Sequence, residues 1–469
     1  MSHSHTCSCN DKNPSLTLRS LVSWCGGKSE LAAVHLKKMV NGVWHDSRKV
    51  VPGGVFVAIR SERDDGHDYI DAAFNAGAIA AIVENRRDIK CISKNRKKLI
   101  LVSNPLKAVQ KAAARYRKEM GILFIGVTGS NGKTTTRTFI SSVLRQELTI
   151  SETYGNWNNH IGVPLSILKF TGDEWAGVIE MGANHVNEIH ELTSVVKPDI
   201  AVITNIGYGH VGLFGALANT TRAKFEIADG LSKNGFLLLN GDDPRLVRGA
   251  KQRGLRTVFY GMSKRCDIRP QSVAVDPVHG VSFMLDGTEF RLSMPGRHFI
   301  YSALPAIYIG RRCGISDSHI AEALAAQHPV SMRGTIEKKK GVSFIVDCYN
   351  ANPSSMSSSI VYLTDVSNAT KRVAIVGDML ELGKYSKKLH RDLGCELVRA
   401  GVGKLIAVGE FAKDVADAAK MEGLSAEKIF VADNSESAVE IARSVIREGD
   451  IVLLKGSRGI HLETVFEKF

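Results

Sequence analysis

No stretch of this 469-residue chain stays apolar for the roughly 18 residues that a membrane-spanning helix needs. A membrane span is therefore not expected. The 43 glycines follow no three-residue period, which excludes a collagen-like rod. Aromatic residues make up only 7% and do not alternate with the basic runs, so a stacking surface for single-stranded nucleic acid is not expected. The eight cysteines, at 7, 9, 25, 91, 266, 313, 348 and 395, are scattered and build no disulfide framework. The opening MSHSHTCSCNDKNPS is polar and has no apolar core of a secretory leader, so a cytoplasmic, reduced setting is expected. His3, His5, Cys7 and Cys9 have no second half at zinc-site spacing, and a frayed tail is expected there.

What is present is ordinary globular material. Hydrophobic residues are 44% and charged residues 23%, enough to build a normal core. The length suggests about three domains at roughly 150 residues each. The net charge of +13 permits a polyanionic ligand such as a polyphosphate. The basic residues are dispersed, apart from Arg86–Lys98 and the triplet Lys338–Lys340.

Periodicity predicts an α/β chain. Short β-rich runs recur at Val55–Ile59, Ala80–Val83, Leu99–Val102, Leu123–Val127, Trp175–Glu180, Ile200–Ile203, Phe236–Asn240, Val342–Val346, Val373–Val376, Leu405–Val408 and Ile451–Leu454. Helical patterns lie between several of them, at Leu106–Met120, Thr134–Gln146, Ala216–Leu231 and Ser435–Ile446. That alternation predicts βαβ units and parallel sheets covered on both faces. One boundary is expected at Lys118–Gly121 and another near Gln327–Lys340. The resulting domains are 1–120, 121–328 and 329–469. Arg265–Arg291 breaks the pattern and predicts a small antiparallel appendage.

The strongest chemical signal is Ile125-Gly-Val-Thr-Gly-Ser-Asn-Gly-Lys-Thr134, between a predicted strand and a predicted helix. Glycines let backbone amides approach phosphate oxygens, and the helix N-terminus adds positive potential. Lys133 can reach outer phosphates and the Thr134 hydroxyl can sit on Mg²⁺. Val127 stands where the strict pattern has its first glycine, leaving TGxNGKT from Thr128 to Thr134. Thr128, Gly129, Ser130, Asn131, Gly132, Lys133, Thr134 and Thr135 are therefore assigned to ATP. Such a loop does not name a reaction, since switches, motors and kinases use one too.

Those residues resemble the Mur ligases, the ATP-dependent amide-bond enzymes of peptidoglycan precursor assembly. The same form is seen in Gly155-Asn-Trp-Asn-Asn-His-Ile-Gly-Val-Pro-Leu165, Glu180-Met-Gly, Ile203-Thr-Asn-Ile-Gly, and His210 followed by Phe214-Gly. Lys224 with Glu226, Arg333-Gly, Asp347-Cys-Tyr-Asn-Ala-Asn-Pro353, Gly377-Asp-Met-Leu-Glu-Leu-Gly383, His390 and Leu454-Lys-Gly-Ser-Arg458 follow in order. The strings YNANP and GDMLELG resemble the member that joins D-alanyl-D-alanine to UDP-N-acetylmuramoyl-tripeptide. In the first domain, Asp46-Ser-Arg48, Phe56-Val-Ala58 and Asp65-Gly-His67 resemble the part that holds the UDP end. The resemblance implies a central ATPase domain with a parallel sheet, a Rossmann-like C-terminal domain and a smaller N-terminal α/β domain. It also implies ATP and Mg²⁺ as cofactors and the two peptide compounds as substrates; a monomer is expected. The implied chemistry is phosphorylation of the peptide carboxylate, attack by the dipeptide amine, and loss of phosphate.

Roles follow residue by residue. Lys133 screens the meeting of two anions, as phosphoryl transfer asks for positioning and charge neutralisation. Glu180 ends an apolar strand, where a carboxylate belongs on a metal. His210 joins it on a second Mg²⁺, with the alternative of a hydrogen-bonded loop histidine. Lys224 is, by the resemblance, a candidate carbamylated lysine on the metal side; the plain alternative is an exposed helix lysine. Arg333 bridges the transferring phosphate. Asp347 accepts from the ATP ribose. Asn156, Asn158 and Asn159 suit the sugar or its phosphate, or a turn. Ser47 and Arg48 belong to the UDP end. Asn350 and Asn352 shape the dipeptide loop, and Lys455, Ser457 and Arg458 meet the dipeptide carboxylate or form a solvated basic turn. His67 and His390 are weaker candidates.

The pattern is broken in places. Phe299 and Ser302 stand where the family usually shows two asparagines, which leaves the adenine contacts there unassigned. Pro305 is expected to interrupt the helix that follows. Ser61, Asn187 and Gly212 are further departures; asparagine tolerates positive φ well. The competing readings are a sister ligase with another substrate, a nucleotide switch or motor, and a ligase reduced to binding.

Overall fold

The computed structural model describes residues 15–62, 64–85, 95–277, 279–328, 332–367 and 372–469. His3, His5, Cys7, Cys9, Cys91 and part of the basic run from Arg86 lie outside the described residues.

Among the described residues, four sheets account for the strands. The first has the order 28–29, 99–102, 80–84, 55–57, 43–44, parallel except for its first pair. The second is wholly parallel, with the order 257–260, 236–240, 200–203, 123–128, 176–180, 150–152. A three-stranded antiparallel sheet of 272–276, 280–285 and 288–292 is the expected appendage. The last sheet has the order 335–339, 342–346, 451–455, 372–377, 404–408, 429–432, again parallel but for its first pair.

The central sheet shows why its strands read as continuous apolar runs. Every residue of Ile200–Ile203 is buried. Ala201 and Ile203 face one core, with Ala108, Leu192 and Val195 from the helices Pro105–Met120 and Glu188–Val196. Ile200 and Val202 face the other, with Phe139, Ile140 and Ala303 from Lys133–Leu144 and Ile300–Arg312. Alternate side chains of one strand thus serve opposite layers. Each fully buried aliphatic side chain contributes about 1.5–3 kcal/mol.

The helix Pro105–Met120 belongs to two layers at once. Asn104 caps its start and Gly121, at φ 64°, closes its end. Its apolar face carries Tyr116, which donates to the Phe170 carbonyl at 2.9 Å. Arg117 lies over the Phe124 ring and donates to the Val196 carbonyl at 2.7 Å. The first sheet is thereby fastened to the central one.

Pro305 does not interrupt its helix, contrary to the expectation. Ile300–Arg312 runs through it, with Pro305 in the second turn and fully enclosed by the core against Lys133–Leu144. Burial of Ala303, Leu304, Ala306 and Ile307 outweighs the lost backbone bond, which costs about 3 kcal/mol. Two lysines of the triplet are also explained. Lys339 donates to the Phe466 and Glu467 carbonyls at 2.9 and 2.7 Å, and Lys340 to Phe469 at 2.7 Å. These cations hold the end of the last helix.

Candidate active site

The central strand order reverses beside Leu123–Thr128, whose neighbours are the later strands 176–180 and 200–203. Ligands of open α/β sheets sit at such a point, outside the carboxyl ends of the strands. Here the glycine loop leaves the sheet. Gly129 adopts φ 146°, and a Cβ there would lie 1.9 Å from Thr204 Oγ1. Only glycine fits that approach. The loop is anchored by Ser130 N to the Asn205 carbonyl at 3.0 Å and Asn131 N to Asn205 Oδ1 at 3.0 Å. Thr128 is buried and donates to the Met181 carbonyl at 2.7 Å, so it ties two strands together. Gly132, at φ 75°, starts the helix Lys133–Leu144 without a side-chain cap. Its first amides are left for an anion.

A cavity of about 510 Å³ opens above this helix, between the central and last sheets. Ser130 to Thr136, Glu180 and His210 line it from the central part, and Arg333, Asp347, Asn350 and Lys455 from the last part. Lys133 Nζ folds back onto the Gly129 carbonyl at 2.9 Å. Burial lowers its affinity for a proton, Glu180 opposes that, and Arg333 adds to it. A polyphosphate would offer this ammonium better acceptors than its own loop.

Glu180 is 2% exposed. Its Oε1 accepts from Asn158 Nδ2 at 2.8 Å, while Oε2 is buried with no hydrogen-bond partner. A buried carboxylate oxygen left alone is costly unless a cation meets it. Arg333 shows the complementary feature: its guanidinium lies 4.1 Å from the Tyr349 ring centroid and its Nε is buried and unpartnered. The cavity lining thus holds a buried carboxylate oxygen without a donor and a buried guanidinium nitrogen without an acceptor.

His210 sits at φ 59°, and its Nδ1 contacts Glu381. Burial pushes its imidazole below the usual histidine range, although Glu381 pulls the other way. Lys224 is not an exposed helix lysine. It is 2% exposed, is not among the residues that line the cavity, and donates to the Ala183 carbonyl at 3.5 Å. Burial first, then the charge of Lys133, pushes its ammonium down to about 7. Among the described residues no group of three His, Cys, Asp or Glu side chains stands together at metal-ligand distances. The donor set suits Mg²⁺, which takes one or two carboxylates and completes its shell with phosphates and water.

The other expected residues divide. Asn156 and Asn158 line the cavity. Asn159 does not; its Oδ1 accepts from Ile161 N and Gly162 N at 3.2 and 2.8 Å and starts the next helix, so it has the turn role. Ser47 and Arg48 lie outside the cavity, in the 3-10 turn Ser47–Lys49 that follows the strand 43–44. Arg48 hydrogen bonds hold the Asp46 carboxyl down to about 2. The ring of Trp44 meets that of Trp157 at 6.1 Å, which brings this segment beside Asn156 and Asn158.

Asp347 lines the cavity but is already engaged, by Lys455 Nζ at 2.7 Å and Ser359 Oγ at 2.5 Å. Lys455 is 1% exposed, so it is no solvated turn residue. Ser457 accepts from Leu380 N at 2.9 Å, and Arg458 is exposed and pairs with Glu463 at 2.7 Å. The three do not form one recognition element. Asn352 caps the helix Pro353–Asp365 and exchanges amide bonds with Asn131 at 3.1 and 2.6 Å. It joins the phosphate loop to the last sheet rather than shaping a free loop. His67 and His390 are satisfied structural residues: each Nε2 accepts a backbone amide, from Glu84 at 3.0 Å and Met379 at 2.9 Å.

His298 is a cavity residue that no local sequence signal marks. Burial pushes its imidazole down to about 4, and it lies 4.1 Å from the Phe299 ring in the cavity wall, near Tyr362. Phe299 and Ser302 thus line the cavity with Asn240 and Tyr301. Asn187 does take positive φ, at 76°.

Comparison with known proteins agrees along the chain. A family model described as Mur ligase family, catalytic domain matches residues 39–117. The Mur ligase middle domain matches 127–310, and the Mur ligase, glutamate ligase domain matches 332–458. The UDP-N-acetylmuramoyl-tripeptide--D-alanyl-D-alanine ligase of Bacillus subtilis (strain 168) is 33% identical over 91% of this chain and 92% of its own. That of Escherichia coli (strain K12) is 31% identical over 96% of this chain and 97% of its own. A crystal structure of MurF from Acinetobacter baumannii superposes with a TM-score of 0.83 at 28% identity, covering 97% of this chain and 98% of that one. The MurF ligase of Thermotoga maritima, solved with ADP, gives 0.78 at 29%, over 92% and 97%.

Proposed function

Because this chain belongs to the Mur ligase family, we propose that it joins D-alanyl-D-alanine to UDP-N-acetylmuramoyl-tripeptide with cleavage of ATP to ADP and phosphate. It is an ATP-dependent amide ligase of peptidoglycan precursor synthesis. The observation that carries the reading is the cavity between the two large sheets. It gathers an unpaired buried glutamate oxygen and an unpaired buried arginine nitrogen beside a phosphate-binding loop.

The terminal carboxylate of the tripeptide attacks the γ-phosphorus of ATP, and ADP leaves. Two unit charges about 4 Å apart repel by about 4 kcal/mol at an effective dielectric of about 20. Unscreened, that would slow the step about a thousandfold. Lys133 and Arg333 both line the cavity and bring positive charge to it. Mg²⁺, when bound, would be held by Thr134, Glu180 and His210, with Lys224 as the candidate carbamylated neighbour, and would supply further charge neutralisation. Asn158 fixes the rotamer of Glu180 through the 2.8 Å bond. The dipeptide amine then attacks the acyl carbon, the tetrahedral adduct collapses, and phosphate leaves. Excluding water from the acyl phosphate is a requirement of this chemistry, met by seating the substrates deep in the cavity.

The parts are assigned as 1–120 for the UDP end, 121–328 for ATP and 329–469 for the amino substrate. Ser47, Arg48 and Asn156 serve the UDP-sugar side. Asn350 belongs to the dipeptide side, where exposed Arg458 is the better carboxylate partner than buried Lys455. Asp347 with Lys455 borders the nucleoside. The enzyme works as a monomer in the cytoplasm, where ATP and the UDP-linked precursor are found. Phosphate release is the test. It should require UDP-N-acetylmuramoyl-tripeptide and rise steeply with D-alanyl-D-alanine; release indifferent to the dipeptide would favour a nucleotide switch.

A further inference from the structure

The segment carrying His210 does not stand free on the central part. Val211 is fully buried, and it is buried within the core of the last sheet, with Met379, Leu382 and Leu389. Tyr208 packs against Tyr385, ring centroids 6.2 Å apart. Gly212 N donates to the Glu381 carbonyl at 2.8 Å. A Cβ on Gly212 would lie 2.6 Å from that oxygen and 2.7 Å from Gly383 N, so no side chain fits the joint. His210 at φ 59° and Glu381 at φ 60° are both non-glycine residues in the left-handed region. Such conformations persist only where the surroundings over-determine them. Here they turn the Glu381 carboxylate onto His210 Nδ1, across 171 residues of sequence.

We infer that Glu381 is a positioning residue for His210: seated only when the last domain docks, it holds Nδ1–H and so presents Nε2 as a bare acceptor to the phosphate cavity. Imidazoles that bind metals are oriented in this way by a carboxylate on the other nitrogen, and losing that partner typically costs about 10–100-fold in affinity or activity. Docking of the last domain and completion of the nucleotide site are then one event. The segment 208–212 is the clasp, and Gly212 is what lets it close. The inference rests on the reading of His210 given above.

The test uses the full chain. Long-range nitrogen–proton spectra of histidine-labelled protein, without nucleotide or metal, should show His210 as the Nδ1–H tautomer. Glu381→Ala should shift it toward the Nε2–H form, weaken Mn²⁺ binding in the presence of ADP about tenfold by electron paramagnetic resonance, and lower kcat at least tenfold with KM for the UDP-peptide unchanged. Glu381→Gln keeps an acceptor oxygen and should restore all three to within about threefold. Gly212→Ala, which wedges the joint and touches neither side chain, should give the same tautomer change. An unchanged His210 tautomer in Glu381→Ala, or a Gln variant as damaged as the Ala variant, would overturn the positioning role. An unchanged tautomer in Gly212→Ala would overturn its link to docking. A fully active His210→Ala enzyme would instead remove the underlying assignment of His210.

Discussion

Replacing Lys224 with methionine keeps most of its length and removes the amine. The side chain is 2% exposed, and its ammonium is pushed down to about 7, by burial first and Lys133 second. An ordinary lysine near 10.4 leaves about one amine in a few thousand neutral at pH 7. At Lys224 about half are neutral, a gain of roughly a thousandfold in the form that can add CO₂. The amine attacks CO₂ and releases a proton, so the adduct forms as pH rises through about 7 and is lost below it. The linkage has the same sign. Between pH 7 and 10.5 the unfolded chain holds a proton that the folded one has lost, so stability rises with pH across that window. Holding the unmodified ammonium near neutrality costs up to about 4 kcal/mol. Lys224→Met should therefore raise the Tm at pH 7 while lowering kcat at least a hundredfold, and bicarbonate should not restore activity. Carbon-13 spectra in labelled bicarbonate should show a carbamate signal in the parent that fades below pH 7 and is missing in the variant. A fully active Lys224→Met enzyme, or no carbamate signal at pH 8, would refute the reasoning.

Gly129→Ala should destabilise the protein by at least about 2 kcal/mol and abolish nucleotide binding, because the new methyl group would collide with Thr204 at a φ of 146°; thermal unfolding and nucleotide titration would check both. Glu180→Gln keeps the bond to Asn158 but removes the charge, so kcat should fall at least a hundredfold while nucleotide still binds without metal, as measured by calorimetry. Asn352→Ala breaks both amide bonds to Asn131 and should raise KM for ATP about fivefold to thirtyfold, at about 1 kcal/mol per bond, read from initial rates. Chelating Mg²⁺ should stop phosphate release, and Mn²⁺ should restore it where K⁺ does not.

The strands that alternate with helices were legible because burial on both faces makes them continuously apolar, and Ile200–Ile203 and Phe236–Asn240 fall where the runs do. The strands 150–152, 257–260 and 429–432 were not, because each is a short neighbour-dependent edge with a mixed pattern. Pro305 misled because local propensity was overridden by packing. Within the site, the phosphate loop is contiguous and could be read directly. The Glu381–His210 contact and the Asn131–Asn352 pair join residues 171 and 221 positions apart, and nothing in their local sequence signals it. The burial of Lys455 and Lys224 was equally hidden, since local sequence left a solvated basic residue open as the alternative at both positions.

The central claim is that the peptide carboxylate itself attacks ATP inside this cavity. Tripeptide substrate carrying oxygen-18 in its terminal carboxylate tests it directly, with the released phosphate analysed by mass. The account predicts one labelled oxygen in each phosphate, formed only when ATP and D-alanyl-D-alanine are both present. Unlabelled phosphate at the full rate of product formation would contradict it.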